Sequence, residues 1–228
     1  MSGAIAILLK TPGLSPVKTR LAATLGQQAA EAFHLASAQS IAESVQLACQ
    51  QDHMQGYYAV AEQAALQHDY WQDLPRLWQG EGSLGERMRH IYQTLLAQHD
   101  FVILVGADIP QMTATQLLDA SAWLAHSAQT RLAFGPSDDG GFWLFGGNGA
   151  IAKNIWVDVV YSVADTGAQF IRQLKPVGDI KTLATLRDVD ELADLSALYQ
   201  SLLELRQALP AQQALLRLLH GLLSVSKH

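Results

Sequence analysis

Short apolar runs alternate along the chain with longer segments whose apolar residues recur at helical spacing, and this alternation predicts an α/β fold. Ala4–Leu9 reads as the first strand, and a helix begins near Thr19. From Gln27 to about Gln50, Ala30, Phe33, Ile41, Val45 and Leu47 mark one face of a long helix. Tyr57–Ala61 and Arg76–Gln79 read as short strands, with a helical stretch around Gln63–Trp71 between them. Leu84–Gln98 has the helical period, and Ser83 is placed to cap it. Phe101–Val105 is a continuous, largely β-branched run, the pattern of a strand buried on both faces. Thr113 or Thr115 can cap the helix that follows.

Leu132–Phe134 and Phe142–Phe145 are two further strands, separated by the turn-rich GPSDDGG. Val163–Leu174 is expected to be helical, and a short extended piece leads from it to Asp188. The Leu-rich remainder should split into two helices at Pro210. Leucines cover much of the circumference of Leu192–Leu223, so this stretch is expected to pack on the rest of the domain or on a second copy, as in a homodimer. With no repeat, low-complexity segment or Pro/Ser-rich linker, residues 1–228 read as one domain with a helical region from about residue 191.

Composition narrows the function classes. Hydrophobic residues make up 49% and charged residues only 16%, which fits a packed globular chain. A formal charge of −6 argues against a general nucleic-acid or anionic-membrane surface but leaves room for a local basic pocket. The single cysteine, Cys49, excludes an internal disulfide and, lying within a helical pattern, reads as a buried, inert thiol. IAILL is too short for a signal peptide, and no apolar run approaches the roughly 18 residues that suggest a membrane span, so a cytoplasmic protein is expected.

Three loops at expected strand ends carry unusual chemistry, and such ends are where open α/β sheets bind ligands. In LLKTPGLSPVKTRLA, Lys10, Lys18 and Arg20 flank a loop stiffened by Pro12 and Pro16, with Gly13 permitting a tight turn. These cations, together with helix amides, would suit a di- or triphosphate, although a solvated surface loop has the same composition. The P-loop pattern GxxxxGK[ST] does not occur. In LVGADIP, Asp108 falls just past the buried strand, where a carboxylate either caps a turn or holds a metal. In GPSDDGG, Asp138 and Asp139 precede Gly140 and Gly141; Asp-Gly is a hairpin signal, but two acids exceed what a turn needs. Asp188 and Asp190 in LRDVDE would point to one side of an extended segment, as metal ligands would, or one of them would cap the next helix. The turn in QGEGSLGERM, with Gly82 and Gly85, could receive a nucleobase or sugar against its backbone.

Taken in order, LLKTPGLSPVKTRLA, QGEGSLGERM, LVGADIP, GPSDDGGFWLFG and LRDVDE resemble the DUF2064 family of GT-A-fold proteins, regarded as glycosyltransferases of the nucleotide-diphospho-sugar transferase type. That family is related in fold to the guanylyltransferases of the molybdenum cofactor and of phospholactate. The resemblance implies a three-layer α/β/α sandwich with a mixed, mostly parallel sheet that binds a nucleotide through the first loop. It implies that Lys18 and Arg20 bind phosphate, to which the loop's own chemistry adds Lys10, and that Asp108, with Asp188 and Asp190, holds Mg²⁺ or Mn²⁺. Asp138, Asp139, Gly140 and Gly141 would then face the acceptor, with Asp139 orienting it or acting as general base and Lys18 assisting the departing phosphate. Two places depart from the family: Leu14 and Ser15 stand where a Pro-Gly is usual, and Phe142 replaces the tyrosine after DGG.

The expectation is a metal-dependent transferase with a nucleotide-activated donor and an acceptor the sequence does not identify. Glycosyl transfer from a nucleotide sugar is the first reading, nucleotidyl transfer from an NTP the second, and a nucleotide- or metabolite-binding protein without turnover the third.

Overall fold

The computed structural model describes residues 2–125 and 127–225. Seven strands form one sheet: β1 (Gly3–Leu9), β2 (Met54–Val60), β3 (Arg76–Trp78), β4 (Phe101–Gly106), β5 (Arg131–Pro136), β6 (Phe142–Gly147) and β7 (Asp179–Thr182). Their spatial order is β3-β2-β1-β4-β6-β5-β7. The pairs β1–β2, β1–β4, β2–β3 and β5–β7 are parallel, while β6 runs antiparallel to both β4 and β5. The mixed, mostly parallel sheet is therefore made by reversing one strand.

The helices are α1 (Thr19–Leu25), α2 (Gln27–Gln51), α3 (Leu84–Leu96), α4 (Ala114–Leu124), α5 (Lys153–Val157), α6 (Thr166–Leu174), α7 (Leu192–Leu203) and α8 (Pro210–Val225). Side chains of the central strands alternate between two cores. Ile5, Ile7, Ile103 and Val105 face α2 and α4, whereas Ala4, Ala6, Val102 and Leu104 face α3, α5 and α6. A strand covered on both faces needs apolar residues at every position, which is why FVILV reads as an unbroken run. The second core is strongly aromatic: Trp156 is fully buried, with ring centroids 5.3 Å from Tyr92, 5.2 Å from Phe145 and 5.5 Å from Phe170.

A third apolar cluster joins Leu21 and Phe33 of α1 and α2 to Leu195, Leu198, Leu202, Leu215 and Leu219 of α7 and α8. The leucines of the C-terminal region are thus largely covered within the chain. Pro210 opens α8, a position where its missing N–H costs nothing.

Local signals account for the helix starts. Ser83 and Glu86 form a reciprocal cap at α3, with the Ser83 N–H donating to Glu86 Oε2 at 3.0 Å. Thr113 caps α4, its N–H donating to Gln116 Oε1 at 2.9 Å. The Gln63–Trp71 stretch is helical only as two 3₁₀ turns, Gln63–Gln67 and Asp69–Trp71. The short helix α5, carrying Trp156, has no counterpart in the sequence reading, because five residues are too few to show a period. Among the described residues no helix is long and apolar enough to cross a membrane.

Candidate functional site

The loop after β1 is held from inside. Thr11 is fully buried; its N–H donates to Glu62 Oε2 at 3.1 Å, and its hydroxyl accepts from Trp71 Nε1 at 2.9 Å. The Thr11 carbonyl accepts from the N–H groups of Leu14 and Ser15, and Gly13 turns the chain with φ +85°. His34, reaching over from α2, shares a 2.9 Å hydrogen bond with the Lys10 carbonyl. Burial pushes the His34 pKa down and favours the neutral ring. The loop ends at Lys18, the N-cap of α1, whose backbone is left-handed at φ 44°, ψ 48°.

Three segments far apart in sequence are laced together beside this loop. The Val189 N–H donates to the Asp108 carbonyl at 3.2 Å, and Gln111 Nε2 donates to the Arg187 carbonyl at 2.6 Å. From α8, the buried Gln212 amide donates to the carbonyls of Pro110 (3.1 Å) and Met112 (3.2 Å). The other end of the 186–190 segment is fixed to the hairpin between β5 and β6, with the Asp138 N–H on the Leu186 carbonyl at 3.0 Å. This lacing brings Asp108, Asp139, Asp188 and Asp190 to one cleft of about 850 Å³, bordered also by Lys10, Lys18 and Arg20. A volume of that order holds a nucleotide-sized ligand.

Lys18 sits at the centre. Its side chain is 4% exposed, yet its Nζ is 2.7 Å from Asp108 Oδ1 and 3.2 Å from Asp190 Oδ1, and it also donates to the Val189 carbonyl. Burial by itself would lower the Lys18 pKa, but the charges of Asp108 and then Asp190, with their hydrogen bonds, outweigh it and raise the pKa. The ammonium is therefore firmly charged. Arg20 is 69% exposed and stands 3.9 Å from Asp190 and 3.7 Å from Glu191. Lys10 is exposed at the cleft wall.

Among the described residues Asp188 makes no ion pair. Half-burial, followed by the charges of Asp139 and Asp190, pushes its pKa up to about 6, with Lys18 pulling the other way. Neither Asp188 nor Asp190 caps α7. That role falls to Glu191 as N-cap, with Asp194 Oδ2 accepting the N–H groups of Asp190 (3.1 Å) and Glu191 (2.9 Å). Both earlier carboxylates are left to face the cleft.

In the β5–β6 turn, Asp139 Oδ1 accepts from Ser137 Oγ at 2.7 Å and from the Gly141 N–H at 2.8 Å, so this carboxylate is rigidly placed. Gly140 has φ +85°, and a Cβ there would lie 1.7 Å from the Ala164 carbonyl oxygen. Gly141 lines the cleft, whereas Asp138 turns to Arg187, 3.4 Å away, and lies outside the lining. Gly82 and Gly85 are also outside it. Gly82 has φ +100° and lies against Glu86 at the cap of α3, and Gly85 is pressed onto the Trp156 carbonyl, where a Cβ would come within 2.2 Å. From that helix it is Leu84, Arg87 and Met88 that reach the cleft.

Several lining groups escaped the sequence reading. Arg87 had a usable signal, being a cation one turn into a helix whose cap was legible. The buried Gln79, whose Nε2 donates to the Ala59 and Leu9 carbonyls at 2.7 and 3.3 Å, had none; nor did His34, Tyr161 and Thr166, which are brought in only by packing.

Among the described residues no three His, Cys, Asp or Glu side chains stand close enough to form a complete metal site. Asp108 and Asp190 nevertheless share one cation, the Lys18 ammonium. Mg²⁺ characteristically takes one or two carboxylates and completes its shell with water and substrate phosphate oxygens. The donor set fits an ion of that kind and not a fully protein-caged one.

A family model described as "Uncharacterized protein conserved in bacteria (DUF2064)" matches residues 36–163. The match takes in Asp108 and the Asp138–Gly141 turn and does not reach Lys18, Arg20, Asp188 or Asp190. No curated protein matches the chain in sequence. Among solved structures, one from Desulfovibrio desulfuricans G20, provisionally classed as a nucleotide-diphospho-sugar transferase, superposes with a TM-score of 0.85 at 23% identity, covering 99% of each chain. A nucleotidyl transferase from Methanothermobacter gives 0.54 at 10% identity, covering 86% of this chain and 95% of that one. A CMP:2-keto-3-deoxy-manno-octonic acid synthetase in complex with CTP gives 0.50 at 11%, covering 87% of this chain and 97% of its own. At these identities the likeness is one of fold.

Proposed function

The chain belongs to the DUF2064 family, and from that membership and the geometry of the cleft we propose that it is a transferase using a nucleotide-activated donor, with glycosyl transfer from a nucleotide sugar as its reaction. The observation that carries this reading is the convergence of Lys18, Asp108 and Asp190, from the two ends of the chain and its middle, in a nucleotide-sized cleft beside Arg20 and Lys10. The fold shared with nucleotide-handling structures supports it.

In this reading the donor's diphosphate lies against Lys18, Arg20, Lys10 and Arg87. As the bond between the sugar's anomeric carbon and the diphosphate oxygen breaks, the electron pair leaves with the nucleoside diphosphate. Those cations meet the growing negative charge, the largest contribution a preorganised site makes to such chemistry. Asp108 and Asp190 would hold Mg²⁺ or Mn²⁺, which when bound would neutralise phosphate charge. Asp139 would take the proton of the attacking acceptor oxygen: its Oδ1 is committed to Ser137 and Gly141, which leaves Oδ2 for that proton.

A second reading, nucleotidyl transfer from an NTP to a phosphorylated acceptor with release of pyrophosphate, is favoured by one observation. Four cations (Lys10, Lys18, Arg20 and Arg87) border the cleft, a number that suits a triphosphate. The deciding experiment is thermal unfolding with nucleotide sugars and NTPs, with and without Mn²⁺. Ligand at about 100 times Kd should add ~2.7 kcal/mol and raise Tm by about 5–10 °C. A Mn²⁺-dependent rise with a nucleotide sugar, and release of nucleoside diphosphate once an acceptor is supplied, supports glycosyl transfer. A rise with one NTP, and pyrophosphate release, moves the assignment to the second reading. No rise with any nucleotide overturns both.

A further inference from the structure

A lysine side chain that is 4% exposed and ligated on three sides is an odd phosphate receptor, because every donor of its ammonium is already in use. Nζ has three N–H groups. Asp108, Asp190 and the Val189 carbonyl supply three acceptors. The two carboxylates are themselves about half exposed, at 49% and 46%, so they remain open to the cleft on the side away from Lys18. The backbone at Lys18 is left-handed, a conformation that costs a side-chain-bearing residue free energy.

We propose that Lys18 is the exchangeable counter-ion of the Asp108–Asp190 pair. Its ammonium holds the place of a divalent cation until a nucleotide's phosphates offer it replacement acceptors, so the metal enters with the nucleotide and not before it. The physical basis is competition for the same oxygens. An ion approaching Asp108 and Asp190 while Lys18 is seated would meet a fixed positive charge within a few ångströms, in a site partly shielded from solvent where repulsion is poorly screened. A diphosphate or triphosphate removes that obstacle in two ways. It brings oxygens that Lys18 can reach by leaving the carboxylates, and it supplies the remaining ligands that two carboxylates lack. Metal and nucleotide affinities are then positively coupled, each raising the other by the same factor. Asp139 and Asp188 line the same cleft, adding two further carboxylates to the pair.

The nucleotide half of this inference rests on the transferase reading, and the metal half does not. Mn²⁺ binding to the nucleotide-free protein, followed by electron paramagnetic resonance of the free ion, tests the metal half directly. The wild type should bind Mn²⁺ weakly. Lys18→Met, which keeps the apolar stem and removes the charge, should bind it at least tenfold tighter. Lys18→Arg should stay weak, and adding Asp108→Asn to Lys18→Met should abolish the gain. Because Asp108 and Asp190 can hydrate when the ammonium is removed, Lys18→Met should fold. In parallel, ¹⁵N-detected NMR of the wild-type lysine ammonium groups follows Lys18 without any substitution: its signal should stay put in excess Mg²⁺ alone and move when nucleotide is added with Mg²⁺.

Lys18→Met binding Mn²⁺ no tighter than the wild type overturns the proposal, as does a Lys18 signal displaced by Mg²⁺ alone. If instead Lys18→Met gains Mn²⁺ affinity but no nucleotide binds either protein, the transferase reading falls and the counter-ion role of Lys18 stands.

Discussion

Replacing Gly140 by alanine separates two costs that usually arrive together. The residue has φ +85°, so any side chain there carries the penalty of a left-handed backbone, about 1–2 kcal/mol. Its Cβ would also lie 1.7 Å from the Ala164 carbonyl oxygen and 2.6 Å from the carbonyl carbon. Relieving such a contact moves one backbone segment against the other by a distance on the order of an ångström or more, since ordinary contacts begin at 3.4 Å. That movement would break the 2.8 Å bond from the Gly167 N–H to the Gly140 carbonyl, a loss of about 1 kcal/mol, with more if the buried groups go unpaired. Gly13 is the natural control. It has the same φ of +85°, but a Cβ at that position would meet nothing within 4 Å, so Gly13→Ala should cost only the conformational term. Urea unfolding of the two variants should therefore give ~1–2 kcal/mol for Gly13→Ala and ~3–5 kcal/mol for Gly140→Ala. Gly140→Ala should also disturb the turn that holds Asp139 and weaken ligand binding at temperatures where the protein is still folded. Equal destabilisation of the two variants would refute the claim that the approach to Ala164, and not the backbone angle, makes glycine necessary.

Further outcomes follow from the same structure. Asp108→Ala should destabilise more than Asp190→Ala, by about 1–3 kcal/mol against about 1 kcal/mol or less in urea melts, because the 2.7 Å contact is the closer partner of a buried ammonium. Gln212→Leu, which strips the Pro110 and Met112 carbonyls of a buried donor, should cost about 1–3 kcal/mol and loosen the Asp108 loop, seen as faster amide exchange there. Asp188 has a pKa pushed up to about 6 in the fold against an ordinary aspartate value of 3.8, so between those values the folded state binds more protons than the unfolded one. Its contribution is therefore lost as pH rises from about 4 to 6, and the stability gained by Asp188→Asn over the wild type, measured without metal, should grow across that window. A difference that is flat with pH would show that the Asp188 carboxylate is not crowded as described.

The alternation of apolar runs with helical periods was enough to place β1, α2, α3, β4, β5, β6 and α6, because each buries a face whose period the sequence displays directly. Ser83 and Thr113 announced their helices for the same local reason: a cap acts on backbone groups three residues away. The reversed strand β6 was also signalled, by the Asp-Gly turn that precedes it. By contrast, α5 and the two 3₁₀ turns were too short to show a period, and Gly82 and Gly85 drew attention as ligand contacts although their surroundings are the α3 cap and the Trp156 carbonyl.

What the sequence determined by itself was therefore most of the elements and the chemical character of four segments: cations at Lys10, Lys18 and Arg20, and carboxylates at Asp108, at Asp139, and at Asp188 and Asp190. Only the tertiary structure decided how these charges meet. Lys18 and Asp190 are 172 residues apart, and their pairing depends on Val189 bonding to Asp108 and on Gln212 of the last helix fixing the strand exit. The physical reason is range. Periodicity and capping are local and leave a local trace, whereas a buried ammonium between two carboxylates is set by long-range backbone lacing, which leaves no spacing to read.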